Sequence, residues 1–203
     1  MTLNLIGIFL ATVIPGFFME PQNQQATAPT ETIVLGAGCF WCVEAVFASL
    51  DGVESATSGY MGGHIKNPAY REVCTGRTGH AEVVKVVFDS QTIELATILE
   101  VFFASHDPTT LNRQGADTGT QYRSAIFYSS ETQKVVCEEG IRKAQGNWPD
   151  PIVTEIAPAT AFYPAEDYHQ QYFDLNGEAP YCRAVIAPKM KKVREQFAPL
   201  LKP

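Results

Sequence analysis

An apolar run of strand character, Thr32-Ile33-Val34-Leu35, passes through the small-residue turn Gly36-Ala37-Gly38 directly into Cys39-Phe40-Trp41-Cys42. This unit constrains the chain more than any other stretch. A β-like run, a turn without bulk and a helix-compatible continuation predict a strand–turn–helix junction. A cysteine at such a junction stands at a helix N-terminus, where backbone N–H groups lack intrahelical partners and the macrodipole favours negative charge. A free thiol ionises near pH ~8.5, and such a position lowers that value. The expectation is a redox-active or nucleophilic Cys39 beside an aromatic surface, with Cys42 one helical turn further on.

Composition narrows the partners and the cysteine chemistry. The chain has 203 residues, of which 45% are hydrophobic, and a net charge of -7. That suits one domain of ordinary size, and it lacks the basic footprint of a nucleic-acid binder. Its 5 cysteines cannot all pair, and a chain this long builds a core without disulfide staples. Cysteine chemistry is expected rather than a cysteine scaffold.

Residues 1–30 read as an apolar N-terminal segment and linker, and residues 31–203 as one continuous domain. Residues 3–18 are nearly all apolar, interrupted by Thr12 and Pro15, and the first basic residue is Lys66. A secretory signal would carry a basic n-region, and a full membrane span needs about 20 apolar residues. Three readings stand open: an anchor, an atypical signal, or a segment outside the working protein with Met19 as an alternative start. Residues 21–31, rich in Gln, Thr, Ala and Pro, read as a linker.

Beyond the junction, the patterning predicts helices over residues 39–50, 95–103, 130–145 and 164–173, and from Pro188 onward. Strands are expected over 53–59, 81–88, 121–128 and 152–156, with a strand-like run over 183–187. Residues 60–79 and 106–119 read as long polar loops, the first with one helical turn near Tyr70, and loops of that length are usually functional. In the strand over 81–88, alternation puts Glu82 on the same face as Val84, Val86 and Phe88, the more apolar one. Interleaved strands and helices imply a mixed α/β or α+β two-layer domain.

Further segments make the pattern specific: Ser58-Gly59-Tyr60-Met61-Gly62-Gly63-His64, Asn67-Pro68-Ala69-Tyr70-Arg71-Glu72-Val73-Cys74, Thr78-Gly79-His80-Ala81-Glu82-Val83-Val84, His106-Asp107-Pro108-Thr109, Gly119-Thr120-Gln121-Tyr122-Arg123-Ser124-Ala125-Ile126 and Ala165-Glu166-Asp167-Tyr168-His169-Gln170. With Gly38-Cys39-Phe40-Trp41 they run in order from residue 32 to at least residue 170, and together they resemble the A-type peptide methionine sulfoxide reductases. The resemblance implies an α+β fold, a ferredoxin-like two-layer sandwich with a mixed sheet. It also implies methionine sulfoxide as substrate, free or in proteins, of the S epimer at sulfur. No metal or organic cofactor is implied, and each sulfoxide epimer has its own enzyme.

The resemblance assigns roles that the residue chemistry suits. Cys39 matches the nucleophile that attacks the sulfoxide sulfur, and Phe40 and Trp41 match the pocket for the substrate methyl group. Glu82 matches the acid that protonates the sulfoxide oxygen, a role suited to a carboxyl whose burial keeps it neutral. Tyr70 and Tyr122 match the tyrosines that hydrogen-bond that oxygen, and Asp117 matches a carboxylate that orders the site. His64, His80, His106 and His169 are expected in structural roles.

Attack leaves Cys39 as a sulfenic acid, which a second thiol converts to a disulfide. Cys42 is the expected first resolver by proximity, although many family members carry Gly there and resolve through C-terminal cysteines. Cys182, read as lying on a flexible C-terminal stretch, is the alternative or a second relay. Cys74 and Cys137 are expected to be structural and buried. Recycling by thioredoxin is implied, and it is easiest in a reducing compartment, which favours the cytoplasm over an anchored or secreted location. A monomer is expected. A general thiol-disulfide oxidoreductase using C-x-x-C is the rival reading, but it leaves the aromatic pair and Glu82 unexplained. A zinc module is disfavoured because Cys39 and Cys42 supply only half of a tetrahedral site.

Overall fold

Regular structure begins one strand ahead of the cysteine pair. The computed structural model describes residues 29–203. The readings of the apolar segment, of Met19 and of most of the linker lie outside the described residues.

The strand–turn–helix junction forms as patterned: β1 (Thr30–Ala37) leads into α1 (Phe40–Ala48), with Cys39 as the N-cap residue. The chain continues through β2 (Val53–Met61), the single turn α2 (Tyr70–Val73), β3 (Ala81–Asp89) and α3 (Leu95–Ser105). A small hairpin of β4 (Arg113–Gln114) and β5 (Asp117–Thr118) precedes a 3-10 turn over Thr120–Tyr122 and β6 (Ser124–Tyr128). Then come α4 (Glu131–Gln145), β7 (Glu155–Pro158), β8 (Tyr163–Pro164), α5 (Tyr172–Leu175) and α6 (Ala187–Phe197).

Six strands form one sheet in the order β7-β6-β1-β3-β2-β8. The inner four, β6-β1-β3-β2, are antiparallel and reproduce the split β-α-β plan of a ferredoxin-like sandwich, whereas β7 adds in parallel to β6. The sheet is therefore mixed, as expected. Alternation along the strands divides the core. Ile33, Leu35, Val84, Val86 and Phe88 point to the helical side, where they meet Val46 and Phe47 of α1 and Ile98 and Phe102 of α3. Val34, Val83, Ala125 and Phe127 point the other way into a smaller cluster. Each fully buried aliphatic or aromatic side chain contributes about 1.5–3 kcal/mol, so the larger cluster dominates stability.

Several expectations need correction. Residues 164–173 do not form a helix: β8, a 3-10 turn over Asp167–His169 and the short α5 replace it. Gln171 takes φ 51, which interrupts helical propagation, and Gln170 donates to the Ser58 and Ala165 carbonyls, tying the chain along β2. Residues 183–187 are helical, a π-helical turn over Cys182–Ile186 that runs into α6. The strand-like run is misleading, because the buried positions are Cys182 and Ile186, one helical turn apart. The strand expected over 121–128 starts at Ser124, and that over 152–156 starts at Glu155.

Candidate active site

The turn after β1 aims the cysteines. Gly38 has φ 87, and a Cβ there would stand 2.6 Å from the Gln114 side chain, so only glycine turns the chain here. Cys39 then caps α1, its carbonyl accepting the Cys42 N–H at 3.1 Å. The free N–H of Phe40 does not serve the Cys39 thiol. It donates to Glu82 Oε2 at 3.1 Å. Glu82 reaches it from β3, where the register pairs it with Tyr60 and the pleat turns it inward.

Glu82 is 1% exposed. Burial pushes its carboxyl up to about 8, with Asp117 and Cys42 adding to the rise and the Phe40 N–H opposing it. The acid is thus neutral and able to donate at neutral pH. Tyr122 is raised by burial and by Glu82, and Tyr70 by burial and by the Cys74 thiol beside it, so both hydroxyls keep their protons.

The thiol pair departs from the simple helix-terminus picture. The Cys39 thiol is held well above its usual value by its hydrogen bond with Cys42, by burial and by Glu82. Cys42 is drawn down to about 7 by the Cys39 hydrogen bond and by the Lys189 ammonium. The two thiols act on each other, and the pair titrates as a unit. The helix end is not the whole environment of Cys39: Glu82 takes the Phe40 N–H, and Cys42, burial and Glu82 all raise the thiol.

A cavity of 140 Å³ opens over these groups, lined by Cys39, Phe40, Trp41, Tyr70, Glu82, Asp117, Tyr122 and Tyr181. Of the residues singled out in the sequence, only the second cysteines lie behind its wall: Cys42 is 3% exposed and Cys182 is fully buried. Cys182 is not on a flexible stretch. It opens the π-helical turn, and its thiol is raised by burial and by the nearby Cys42. Cys137 is buried as expected, whereas Cys74 is exposed. All five thiols are free. A larger groove of 830 Å³ between α3, α4 and α6 holds no cysteine.

Tyr181, which lines the cavity, and Tyr172, behind Trp41, escaped the sequence reading, whereas His169, expected in a structural role, backs the same indole. The Tyr181 hydroxyl donates to Asp117 Oδ2 at 2.9 Å, lies 3.9 Å from Cys42 Sγ, and the ring meets Trp41 edge-on. Tyr172 stacks on Trp41 with centroids 3.7 Å apart. His169 Nδ1 accepts the Trp41 Nε1–H at 3.1 Å, and its ring lies 4.4 Å from Tyr70. Glu166 supports the same wall, accepting the Tyr60 hydroxyl and the Tyr70 N–H, each at 2.9 Å. The available signals were the Ala165–Gln170 motif itself and the tyrosine adjoining Cys182.

His106 and His80 hold structural places, whereas His64 is exposed. His106 is pushed down to about 3 by burial, and the neutral ring bridges the Phe102 carbonyl and the Ser124 hydroxyl. His80 Nδ1 accepts the Gly63 N–H at 3.1 Å. Among the described residues, no group of three or more His, Cys, Asp or Glu is arranged to hold a metal ion. No helix among them is long and apolar enough to cross a membrane.

Comparison with known proteins points one way. Residues 31–200 match the family model described as peptide methionine sulfoxide reductase. A relative from Trichodesmium erythraeum, peptide methionine sulfoxide reductase MsrA, is 54% identical over 169 residues, covering 82% of this chain and 96% of its own length. Among solved structures, reduced Mxr1 from Saccharomyces cerevisiae aligns with TM-score 0.72 at 37% identity, over 75% of this chain and 89% of that one. Mxr1 from Saccharomyces cerevisiae in complex with Trx2 aligns with TM-score 0.52 at 28% identity, over 70% of this chain and 84% of that one.

Proposed function

The chain belongs to the peptide methionine sulfoxide reductase family, and from that premise we propose that it reduces the S epimer of methionine sulfoxide, free and in proteins, by thiol chemistry at Cys39. One observation carries the reading: a thiol and a buried, neutral carboxyl face the same small cavity, with aromatic rings as its apolar side.

The sulfoxide methyl rests against Phe40 and Trp41, and the oxygen lies toward Tyr70, Tyr122 and Glu82. Cys39 gives up its proton to the Cys42 thiolate as its sulfur bonds to the sulfoxide sulfur, while Glu82 protonates the oxygen. The hydroxyl then passes from the substrate sulfur to the Cys39 sulfur as the new S–S bond breaks, its electron pair leaves with methionine, and Cys39 carries the oxygen as a sulfenic acid. Asp117 orders the site through the Tyr181 hydroxyl.

Cys42 attacks the sulfenic sulfur, expelling water and forming the Cys39–Cys42 disulfide. Cys182, buried against Cys42, takes the bond next as a relay. The reductant is a thioredoxin-type dithiol, a reading supported by the structure of Mxr1 with Trx2. Both electrons come from thiols, and the proposed chemistry calls on neither a metal nor an organic cofactor. The working unit in this reading is a monomer. A reducing compartment such as the cytoplasm suits this cycle.

Single-turnover reduction of the two separated epimers, followed by mass mapping of disulfides, tests the scheme. The wild type should convert only the S epimer and yield a Cys39–Cys42 disulfide first and a Cys42–Cys182 disulfide after it, and Cys39→Ser should convert neither epimer. Turnover by Cys39→Ser would sink the nucleophile assignment. A Cys39–Cys182 bond formed first would remove Cys42 from its place in the sequence of steps.

A further inference from the structure

Behind the cavity, one guanidinium ties together the two chain segments that bring in the oxygen-side groups. Arg123 Nη1 donates to the Thr120 carbonyl at 3.0 Å, Nη2 to the Gly79 carbonyl at 3.1 Å, and Nε to Glu155 Oε2 at 2.8 Å. Thr120 opens the 3-10 turn that ends at Tyr122. Gly79 lies on the turn that leads into β3 and Glu82. Glu155 is the first residue of the edge strand β7. The Arg123 side chain is 14% exposed and that of Glu155 is 45% exposed, so the clamp sits inside the surface and its anchor sits on it.

Space for the clamp is built in. Gly62 has φ 86, and a Cβ there would stand 2.9 Å from Arg123 Nη2 and 2.8 Å from the Phe127 ring. The first glycine of Met61-Gly62-Gly63-His64, which the catalytic groups leave unexplained, is thus a seat for the guanidinium. The neighbouring His80 is held from the other side, its Nδ1 accepting from the Gly63 N–H and its Nε2 donating to the Ile65 carbonyl at 2.8 Å. The turn ahead of Glu82 is therefore fastened at two successive residues, Gly79 and His80.

We propose that Arg123, which does not line the cavity, is a positioning residue that sets the separation of Tyr122 and Glu82 by holding the Thr120 and Gly79 carbonyls on one planar fork. The inference rests on the sulfoxide-reductase reading, in which those two groups share one oxygen atom. A guanidinium suits the task because its N–H groups diverge at fixed angles within a plane, whereas an ammonium is a point donor on a flexible stem. Two groups that must meet one oxygen lose rate steeply when their spacing drifts.

Single-turnover reduction of S-methionine sulfoxide, read as saturating rate and KM, tests this in Arg123→Lys and Arg123→Met. Both should lose saturating rate, about tenfold or more for Arg123→Met, with KM changed much less. Lysine should recover part of the loss. If Arg123 acts through Tyr122, then Arg123→Met should cost much less in a Tyr122→Phe background, about threefold or below. An unchanged rate in Arg123→Met overturns the proposal, and so does a full, multiplicative loss in the Tyr122→Phe background. Where Arg123→Met does not fold, Glu155→Gln in the same two backgrounds decides by the same criterion, with a smaller loss expected. A wild type inert toward sulfoxide would instead refute the underlying reading.

Discussion

Cys39 and Glu82 sit where β1, α1 and β3 meet, whereas the partners of Trp41, namely His169, Tyr172 and Tyr181, sit on the irregular chain between β8 and α6. The first region is placed by ladders: strand pairing fixes which way Glu82 points, and the helix end fixes what its carboxylate oxygen meets. The second region is placed by single contacts from side chains to backbone. Gln170 binds the Ser58 backbone on both its N–H and its carbonyl, Glu44 accepts the Gln171 N–H, and Glu166 accepts the Tyr70 N–H. The contrast separates chemistry from shape. Damage in the ladder region should appear in the rate of the chemical step, and damage in the contact region in how well substrate is held.

The largest effect should come from Glu82→Gln. It removes the proton donor while keeping the volume, so sulfenic acid formation should fall about 100-fold or more with KM nearly unchanged. The pH profile sharpens this. The Cys42 thiolate that receives the Cys39 proton forms as pH rises through about 7, and Glu82 ionises as pH rises through about 8. The single-turnover rate of the wild type should therefore rise and then fall across a narrow bell. In Glu82→Gln the alkaline fall should vanish, and an unchanged rate would remove Glu82 as the acid.

Glu166→Gln should act more gently and on the other parameter. The amide lacks the carboxylate charge, and with its oxygen kept on the Tyr70 N–H it meets the Tyr60 hydroxyl only through its NH2 group, which reverses and weakens that hydrogen bond. KM should rise about threefold to tenfold with kcat held within about twofold. A loss confined to kcat would break the division between the two regions. The smallest effect is expected from Lys189→Met, which removes a charge acting on Cys42 without touching the cavity. The thiolate absorbance midpoint of the pair should move above about 7, and disulfide closure at neutral pH should slow modestly. An unmoved midpoint would leave the Cys39 and Tyr181 hydrogen bonds as the causes.

The ladder region was also the legible one. Period-two alternation predicted the buried face of Glu82, and the small-residue turn predicted the helix start at Cys39, because both follow from local sterics. What the helix end does chemically was not legible, since it depends on a carboxyl from a strand 42 residues away in sequence. In the contact region, Val185 and Ile186 imitated a strand although burial there follows a helical turn. The run over 164–173 imitated a helix although Gln171, with φ 51, interrupts it. Asp117, Tyr70 and Tyr122 became visible through family motifs, not through periodicity. Tyr181, Tyr172 and His169 act by ring contact and orientation, which spacing along a chain does not encode.

The lining of the cavity has a geometric consequence. Thiol, aromatic face and hydrogen-bonding face are three different walls around one point, so the space they enclose is handed. A sulfoxide sulfur is pyramidal, with methyl, oxygen, side chain and lone pair at distinct corners. Hold the thiol behind the sulfur and leave the side chain toward the opening, and the mirror-image sulfoxide exchanges methyl and oxygen. Its oxygen would press on the Trp41 ring while its methyl faced the Glu82 carboxyl, leaving polar groups on both sides without partners. Selection between enantiomeric sulfurs then needs no gate or moving part. It is a property of the arrangement of walls, and an enzyme for the opposite hand needs those walls exchanged.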